Sequence, residues 1–304
     1  MDFSTAINPV AWPVPPDLTV NWCALPDREA LVTLERTAAA HFGADPALCR
    51  AVPGSEAALR LIAPELDLPG RHVPLTYRSH VEAFDEARVH QIGAMDRATV
   101  LVIANPNNPD GTCHGPDQIA ALLAAQEDGD GWLLVDEAFA DCDPGVSVAA
   151  MVRPERRLIV LRSFGKFFGL AGLRLGFVVA PPDLLSVLVS RMGAWPINSA
   201  ALAIGQTAYA DDEWIVQTIQ TLRVKAAALD HVLHRHGLHA QGACPLFRLV
   251  QTPAATTLFE GLARRRILTR PFAQDGNLLR LGLPQDDAAL ARLDEALTGL
   301  VRHG

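Results

Sequence analysis

Two rhythms of apolar positions alternate along the chain. Short apolar runs recur at Val73–Tyr77, Thr99–Ala104, Gly131–Asp136, Leu158–Ser163 and Leu175–Ala180. Runs of this length, bounded by turn residues, suit strands buried on both faces. The apolar spacing changes to three and four at Asp27–Phe42, ahead of these runs, and between several of them, as at Pro116–Glu127, which predicts amphipathic helices. Strand and helix in alternation argue for an α/β fold, a mainly parallel sheet with helices on both faces. A helical pattern then runs from about Ser199 toward His236. Short strands follow near Leu246–Val250, Ile267–Arg270 and Leu278–Leu283, and a final helix starts at Asp286. That succession suits a smaller α+β domain. The first 25 residues are Pro-rich and aperiodic, which predicts an extended arm. The expected organisation is therefore an arm over 1–25, a large domain over 26–205 and a small domain over 206–304.

The chemistry concentrates where an apolar run ends. Leu158–Leu161 passes into Arg162-Ser163, and Lys166 then sits among Phe, Gly, Leu and Ala, with Arg174 eight residues beyond it. A lysine among apolar neighbours loses solvation, which favours its neutral amine. A neutral amine can attack a carbonyl and form a Schiff base. Ser163 and Arg174 offer a hydroxyl and a planar cation, groups that hold phosphate. Together they suit pyridoxal phosphate, which carries one aldehyde and one phosphate. By itself the segment also admits a snorkelling surface lysine beside a structural arginine.

Three upstream segments add to this. Val52-Pro53-Gly54-Ser55-Glu56 feeds a helix-forming run to Leu61, and a helix N-terminus binds anions through its free amides and dipole. Ser55 would equally serve as an ordinary helix cap. Asn105-Pro106-Asn107-Asn108-Pro109-Asp110-Gly111 follows the Thr99–Ala104 run and fixes a backbone able to aim Asn108 at a ligand oxygen; most such stretches are plain turns. Trp132–Val135 ends in Asp136-Glu137, which sets a carboxylate at the C-terminal edge of a sheet, where open α/β folds bind ligands.

Asn-Pro-x-Asn-Pro-x-Gly, Asp-Glu-Ala and Ser-x-x-Lys with a following Gly-x-Arg form a specific combination. In motif order from about Asp2 to the C-terminus, the chain resembles the fold-type I, aspartate-aminotransferase-like family of pyridoxal phosphate enzymes. Within it, Phe3-Ser4-Thr5-Ala6-Ile7-Asn8-Pro9, Asp136–Phe139 and Trp195-Pro196-Ile197-Asn198 are most similar to the threonine-phosphate decarboxylases of cobalamin biosynthesis. The histidinol-phosphate aminotransferases are the next resemblance and the alternative reading. The resemblance implies roles. Lys166 carries the cofactor and moves the proton, Asp136 pairs with the pyridine nitrogen, and Tyr77 stacks on the ring; these three are the expected catalytic residues. His80 sits behind Asp136, and Asn108 meets the 3′ oxygen. Gly54, Ser55, the Glu56 amide, Ser163 and Arg174 hold the cofactor phosphate. Arg280 meets the substrate carboxylate and Arg270 its phosphate, with Asn108 and Asn8 also on the substrate side. Arg264, Arg265 and Arg266 precede Arg270, so a solvated basic face is the plainer reading of that arginine. Phe139 stands where most aminotransferases place a tyrosine. The implied reaction is decarboxylation of L-threonine O-3-phosphate to (R)-1-amino-2-propanol O-2-phosphate in a homodimer.

Two departures from the family pattern carry expectations. A His-Gly-Gly segment usually precedes the Phe-Ser-x-x-Ile-Asn-Pro stretch, and this sequence starts at Met1-Asp2-Phe3; weaker binding of substrate is expected. Leu25 replaces a tyrosine that in relatives reaches the neighbouring subunit's cofactor phosphate.

Composition narrows the partners. A formal net charge of −8 over 304 residues disfavours nucleic acid and anionic membranes, so any phosphate site is a local basic spot. No basic-then-apolar leader and no membrane-length apolar run occurs, and the five cysteines are scattered without a Cys-x-x-Cys pair. A cytoplasmic enzyme with a small phosphorylated amino-acid substrate and no metal is the expectation; His231, His234, His236 and His239 read as the polar face and end of a helix.

Overall fold

The computed structural model describes residues 1–89 and 98–301. Its helices are α1 (Arg28–Phe42), α2 (Ser55–Ile62), α3 (Arg78–Glu82), α4 (Pro116–Asp128), α5 (Phe164–Phe167), α6 (Pro182–Met192), α7 (Ser199–Tyr209), α8 (Asp212–Arg235), α9 (Ala255–Arg264) and α10 (Asp287–Val301). Strands β1 (Cys49–Val52), β2 (Gly70–His72), β3 (Ala87–Val89), β4 (Val100–Ala104), β5 (Trp132–Asp136), β6 (Leu158–Ser163) and β7 (Gly176–Val179) form one sheet in the order β1-β7-β6-β5-β4-β2-β3. A second sheet orders β8 (Ala240–Gln241), β9 (Phe247–Gln251), β10 (Arg270–Pro271) and β11 (Leu278–Gly282) as β10-β11-β9-β8. Among the described residues no helix is long and apolar enough to cross a membrane.

The large sheet is parallel from β3 through β6, whereas β7 runs antiparallel to both β6 and β1. Alternation along the central strands sends side chains to two separate cores. Leu101, Ile103, Leu133, Val135, Leu158 and Val160 join the core that includes α1 and α7. Val100, Val102, Leu134, Ile159 and Leu161 join the one closed by α2 and α6. Strands wetted on neither face must be apolar throughout, which is why their sequences read as continuous runs. Helix α1 follows its pattern closely. The Asp27 carboxylate accepts from the Ala30 amide at 2.8 Å to start it, and Gly43 at φ 66° stops it.

Three sequence expectations shift. Val73–Tyr77 is not a strand; pairing ends at His72, Pro74 has no amide to donate, and the Leu75 carbonyl accepts from the Asn107 side chain at 2.9 Å. The helical region after Ser199 divides at Asp211, whose carboxylate accepts from the Trp214 amide and caps α8 while also accepting from the Trp12 indole at 2.9 Å. The strand expected at Ile267–Arg270 is limited to Arg270–Pro271, and Leu268 instead bridges Asp2. Within the N-terminal segment, residues 3–12 make backbone bonds to the rest of this chain. The Phe3 amide donates to Leu268 at 2.7 Å, the Gly282 amide donates to Phe3 at 2.7 Å, and the Trp12 amide donates to Phe168 at 2.9 Å. Phe3 and Trp12 are buried, whereas Trp22 and Leu25 are exposed.

Phe3 is thus the apolar anchor of the N-terminal segment on the small sheet. Phe3→Ala should cost about 3–5 kcal/mol, the range for removing a buried phenylalanine, and denaturant unfolding measures it. A loss under about 1 kcal/mol would show that the segment is held by its backbone bonds alone.

Candidate active site

The antiparallel course of β7 decides what meets at the C-terminal edge of the sheet. Strand β6 ends at Ser163, which is in register with Gly176, the first residue of β7. The loop just before β7 therefore brings Arg174 to that edge. Gly176 is in turn paired with Val52, the last residue of β1, so Gly54 and the start of α2 arrive there as well. Glycine is needed at both contacts. A Cβ on Gly176 would lie 2.6 Å from the Ser55 amide nitrogen, and one on Gly54 would lie 2.7 Å from Arg174 Nη2. Gly54 also has φ +95°, which side-chain-bearing residues rarely adopt.

These elements enclose a cleft of about 240 Å³. All nine residues expected to hold the cofactor line it: Gly54, Ser55, Glu56, Tyr77, Asn108, Asp136, Ser163, Lys166 and Arg174. At one end, the first intrahelical bond of α2 is from the Ala58 amide to the Gly54 carbonyl. The amides of Ser55, Glu56 and Ala57 are thus left at the helix end. Arg174 makes one long bond, Nη1 to the Ala171 carbonyl at 3.3 Å, and no carboxylate pairs with it among the described residues. Free amides, the Ser163 hydroxyl and an unpaired guanidinium make a cradle for a dianionic phosphate.

At the other end Asp136 is buried. Its Oδ1 accepts from the Ala138 amide at 3.1 Å, and its Oδ2 lies 3.0 Å from His80 Nε2. His80 Nδ1 lies 2.9 Å from Thr76 Oγ1, a partner that sequence reasoning missed because a threonine in a loop carries no signal of its own. The His80 ring also packs edge-on against Tyr77, with centroids 5.6 Å apart. Lys166 lies between the two ends. Burial, with the Arg280 and Arg174 cations, lowers its amine below the usual lysine value, and only Asp136 opposes the shift. Phe139, one of the lining residues, has its ring centroid 6.0 Å from Lys166 Nζ.

The substrate-side residues separate. Arg280 is buried, donates to Asn108 Oδ1 at 2.6 Å and to the Ser4 carbonyl at 3.1 Å, and lies over the Phe247 ring at 5.2 Å. Burial, and then Arg270, push its guanidinium down to about 10. Arg270 is exposed and directly opposite Arg280 in the β10–β11 pairing, so two cations stand side by side. Asn8 is held by three bonds of its own. Its amide donates to the Phe167 carbonyl at 2.9 Å and its oxygen accepts from the Val10 amide at 3.0 Å. Its backbone amide donates to the Lys166 carbonyl at 2.9 Å. Asn8 therefore ties the N-terminal segment to the lysine turn. Among the described residues no three His, Cys, Asp or Glu side chains are grouped to hold a metal ion.

A phosphate cradle, a buried lysine and a buried carboxylate on a sheet edge define a cofactor enzyme of the aminotransferase fold. The sequence profile of the class I and II aminotransferases matches residues 73–296, and the chain belongs to that pyridoxal-phosphate-dependent family. It is 41% identical to the threonine-phosphate decarboxylase of Pseudomonas aeruginosa, over 98% of this chain and 91% of the relative. It is 38% identical to the threonine-phosphate decarboxylase of a Sinorhizobium species, again over 98% and 91%. Among solved structures, the L-threonine-O-3-phosphate decarboxylase of Porphyromonas gingivalis superposes with a TM-score of 0.82 at 20% identity, over 99% of both chains, which bears on the fold alone.

Lys166 and Lys225 are the only lysines in the sequence. The lowered amine of Lys166 should react with trace acetic anhydride at a pH where an ordinary lysine is still protonated. Its labelling midpoint, followed by peptide mass spectrometry of the cofactor-free protein, should fall below 10.5. A midpoint at or above that value would mean that the cations around it are outweighed by Asp136.

Proposed function

We propose that this chain is a pyridoxal-phosphate-dependent decarboxylase that converts L-threonine O-3-phosphate into (R)-1-amino-2-propanol O-2-phosphate, a building block of the cobalamin side chain. The observation that carries the reading is the lining of one cleft by Lys166, Asp136, Asn108 and Arg174 in a chain 41% identical to a threonine-phosphate decarboxylase. The cofactor fits the residues present: a cradle of free amides beside an unpaired arginine suits its phosphate, and a buried carboxylate backed by His80 suits its ring nitrogen.

When bound, pyridoxal phosphate supplies an aldehyde for an amine and a ring that takes up the electron pair released at Cα. Ser55, Glu56, Ser163 and Arg174 hold its phosphate. Asp136 keeps the proton on the ring nitrogen, and the His80 bond to Oδ2 keeps Asp136 aligned for it. Asn108 orients the 3′ oxygen and is itself fixed by Arg280 Nη1. Arg280 binds the substrate carboxylate while Arg270, its cross-strand neighbour, binds the substrate phosphate. Lys166 Nζ, once free, returns a proton to Cα on the face it occupies. Phe139 and Leu175 give the same cleft an apolar lining. The arm over 1–25, the domains over 26–205 and 206–304, a homodimer and a cytoplasmic location belong to the same reading. The exposed Trp22 and Leu25 are the surface such a dimer would cover.

Purified protein given threonine phosphate should release carbon dioxide and the amino-alcohol phosphate without an added 2-oxo acid. Dependence on a 2-oxo acid, with a keto product, would identify a histidinol-phosphate-type aminotransferase instead. Borohydride should bleach the yellow protein and leave the reduced adduct on Lys166; an adduct on Lys225 would sink the assignment. Asp136→Ala loses a buried charge-assisted bond worth about 1.5–3 kcal/mol, so turnover should fall at least tenfold, and wild-type kcat would contradict its role.

A further inference from the structure

The largest buried charge cluster among the described residues lies outside the cleft. Arg162 Nη1 donates to Glu137 Oε2 at 2.7 Å and to Ser147 Oγ at 3.2 Å, and Nη2 donates to Asp141 Oδ1. Glu137 Oε1 accepts from the Val148 amide at 2.5 Å, and Oε2 also accepts from Ser147 Oγ at 2.7 Å. His41 of α1 lies 3.1 Å from the same Asp141 oxygen, and the Phe42 ring lies 4.3 Å from the Arg162 guanidinium. Arg162, Glu137 and Asp141 are 2%, 0% and 1% exposed, so these charges are cut off from water.

The position of the pair in the strands gives it a purpose. Glu137 directly follows Asp136, and Arg162 directly precedes Ser163. Successive strand residues face opposite sides. Leu134 and Leu161 face the α2 core, as Asp136 and Ser163 then do, toward the cleft; Val135 and Val160 face the α1 core, as do Glu137 and Arg162. The ion pair therefore spans β5 and β6 on the reverse face of the same two strand ends that carry the cleft groups. The Glu137 amide, bonded to the Leu161 carbonyl at 2.8 Å, is the last backbone tie there.

We propose that Arg162 and Glu137 are a positioning pair: from behind the sheet they fix the distance between Asp136 on one strand end and Ser163 and Lys166 on the next. This rests on the cofactor reading above. Loosening the pair misaligns Asp136, the ring nitrogen holds its proton less firmly, and the lysine–cofactor linkage becomes more basic.

Glu137→Gln keeps the shape of the side chain and removes its charge. In holoenzyme well below its melting temperature, the visible lysine–cofactor band should titrate about half a pH unit or more higher than in wild type. kcat should fall about tenfold or more with KM changed less than about threefold, as a small misplacement of reacting groups demands. The control is Glu127→Gln, which breaks a carboxylate–arginine pair at the other end of β6, where Glu127 accepts from Arg156 Nε at 2.8 Å and from the Arg157 amide at 2.9 Å. It should lower stability while leaving the band titration and kcat unchanged. If Glu137→Gln does not fold, Ser147→Ala, which removes one partner from each member of the pair, should move the same readouts in the same direction. A folded Glu137→Gln or Ser147→Ala with wild-type titration and kcat overturns the proposal. Wild-type protein with no such band would overturn the cofactor reading instead, which separates the two failures.

Discussion

One reversed strand makes this cleft possible. In a wholly parallel sheet, the loop entering β7 would lie at the opposite edge from Ser163. Because β7 runs antiparallel, its first residue is level with the last residues of β6 and β1. Arg174, the α2 N-terminus and the Lys166 turn then converge. The approach is so close that Gly176 has no room for a methyl group, and one on Gly54 would displace the Arg174 guanidinium. The anion cradle follows from sheet topology first and side-chain chemistry second.

The electrostatics of the cleft follow from that convergence. The protein is acidic overall, with a formal net charge of −8. Yet Lys166 is flanked by Arg174 and Arg280, and Asp136 is the carboxylate that opposes their effect on it. Arg280 is itself held below its ordinary value by burial and by Arg270. Cations packed this tightly without matching carboxylates are costly unless anions arrive to pair with them. A cofactor and a substrate that each bring a phosphate, together with a substrate carboxylate, supply the missing charge. Burial, together with the same cations, lowers the lysine amine below its ordinary value before the ligands bind.

Much of this was legible in the sequence, for physical reasons that differ by element. The β4, β5 and β6 runs are buried on both faces, so their apolar stretches stand out, and each ends in the turn or charge that marks the sheet edge. Val73–Tyr77 misled because its apolar residues alternate like a strand while its carbonyls bond to the His72 ring, the Asn107 side chain and the His80 amide rather than to a neighbouring strand. The short strands β1, β2 and β3 left no run long enough to read. Asn8 was visible as part of a motif, but its work on the Phe167 carbonyl depends on a contact across 159 positions. Thr76 became visible only once His80 had been placed beside Asp136.

Arg162 and Glu137 show why such a site needs support that no local pattern announces. They lie 25 positions apart, each read in sequence only as the charge next to a more informative residue. A buried ion pair is poor evidence of stability, since desolvating two charges can cancel their attraction, and well-packed apolar residues would often serve as well. Apolar side chains, however, tolerate sliding. A guanidinium shared between Glu137, Ser147 and Asp141 is satisfied in few geometries, and each lost bond leaves a buried charge exposed to the full desolvation cost. That steep penalty resists displacement of β5 relative to β6. It acts one residue behind Asp136 and Ser163, the two cleft groups whose separation matters on the proposed reading, because a small misplacement of reacting groups is costly in rate.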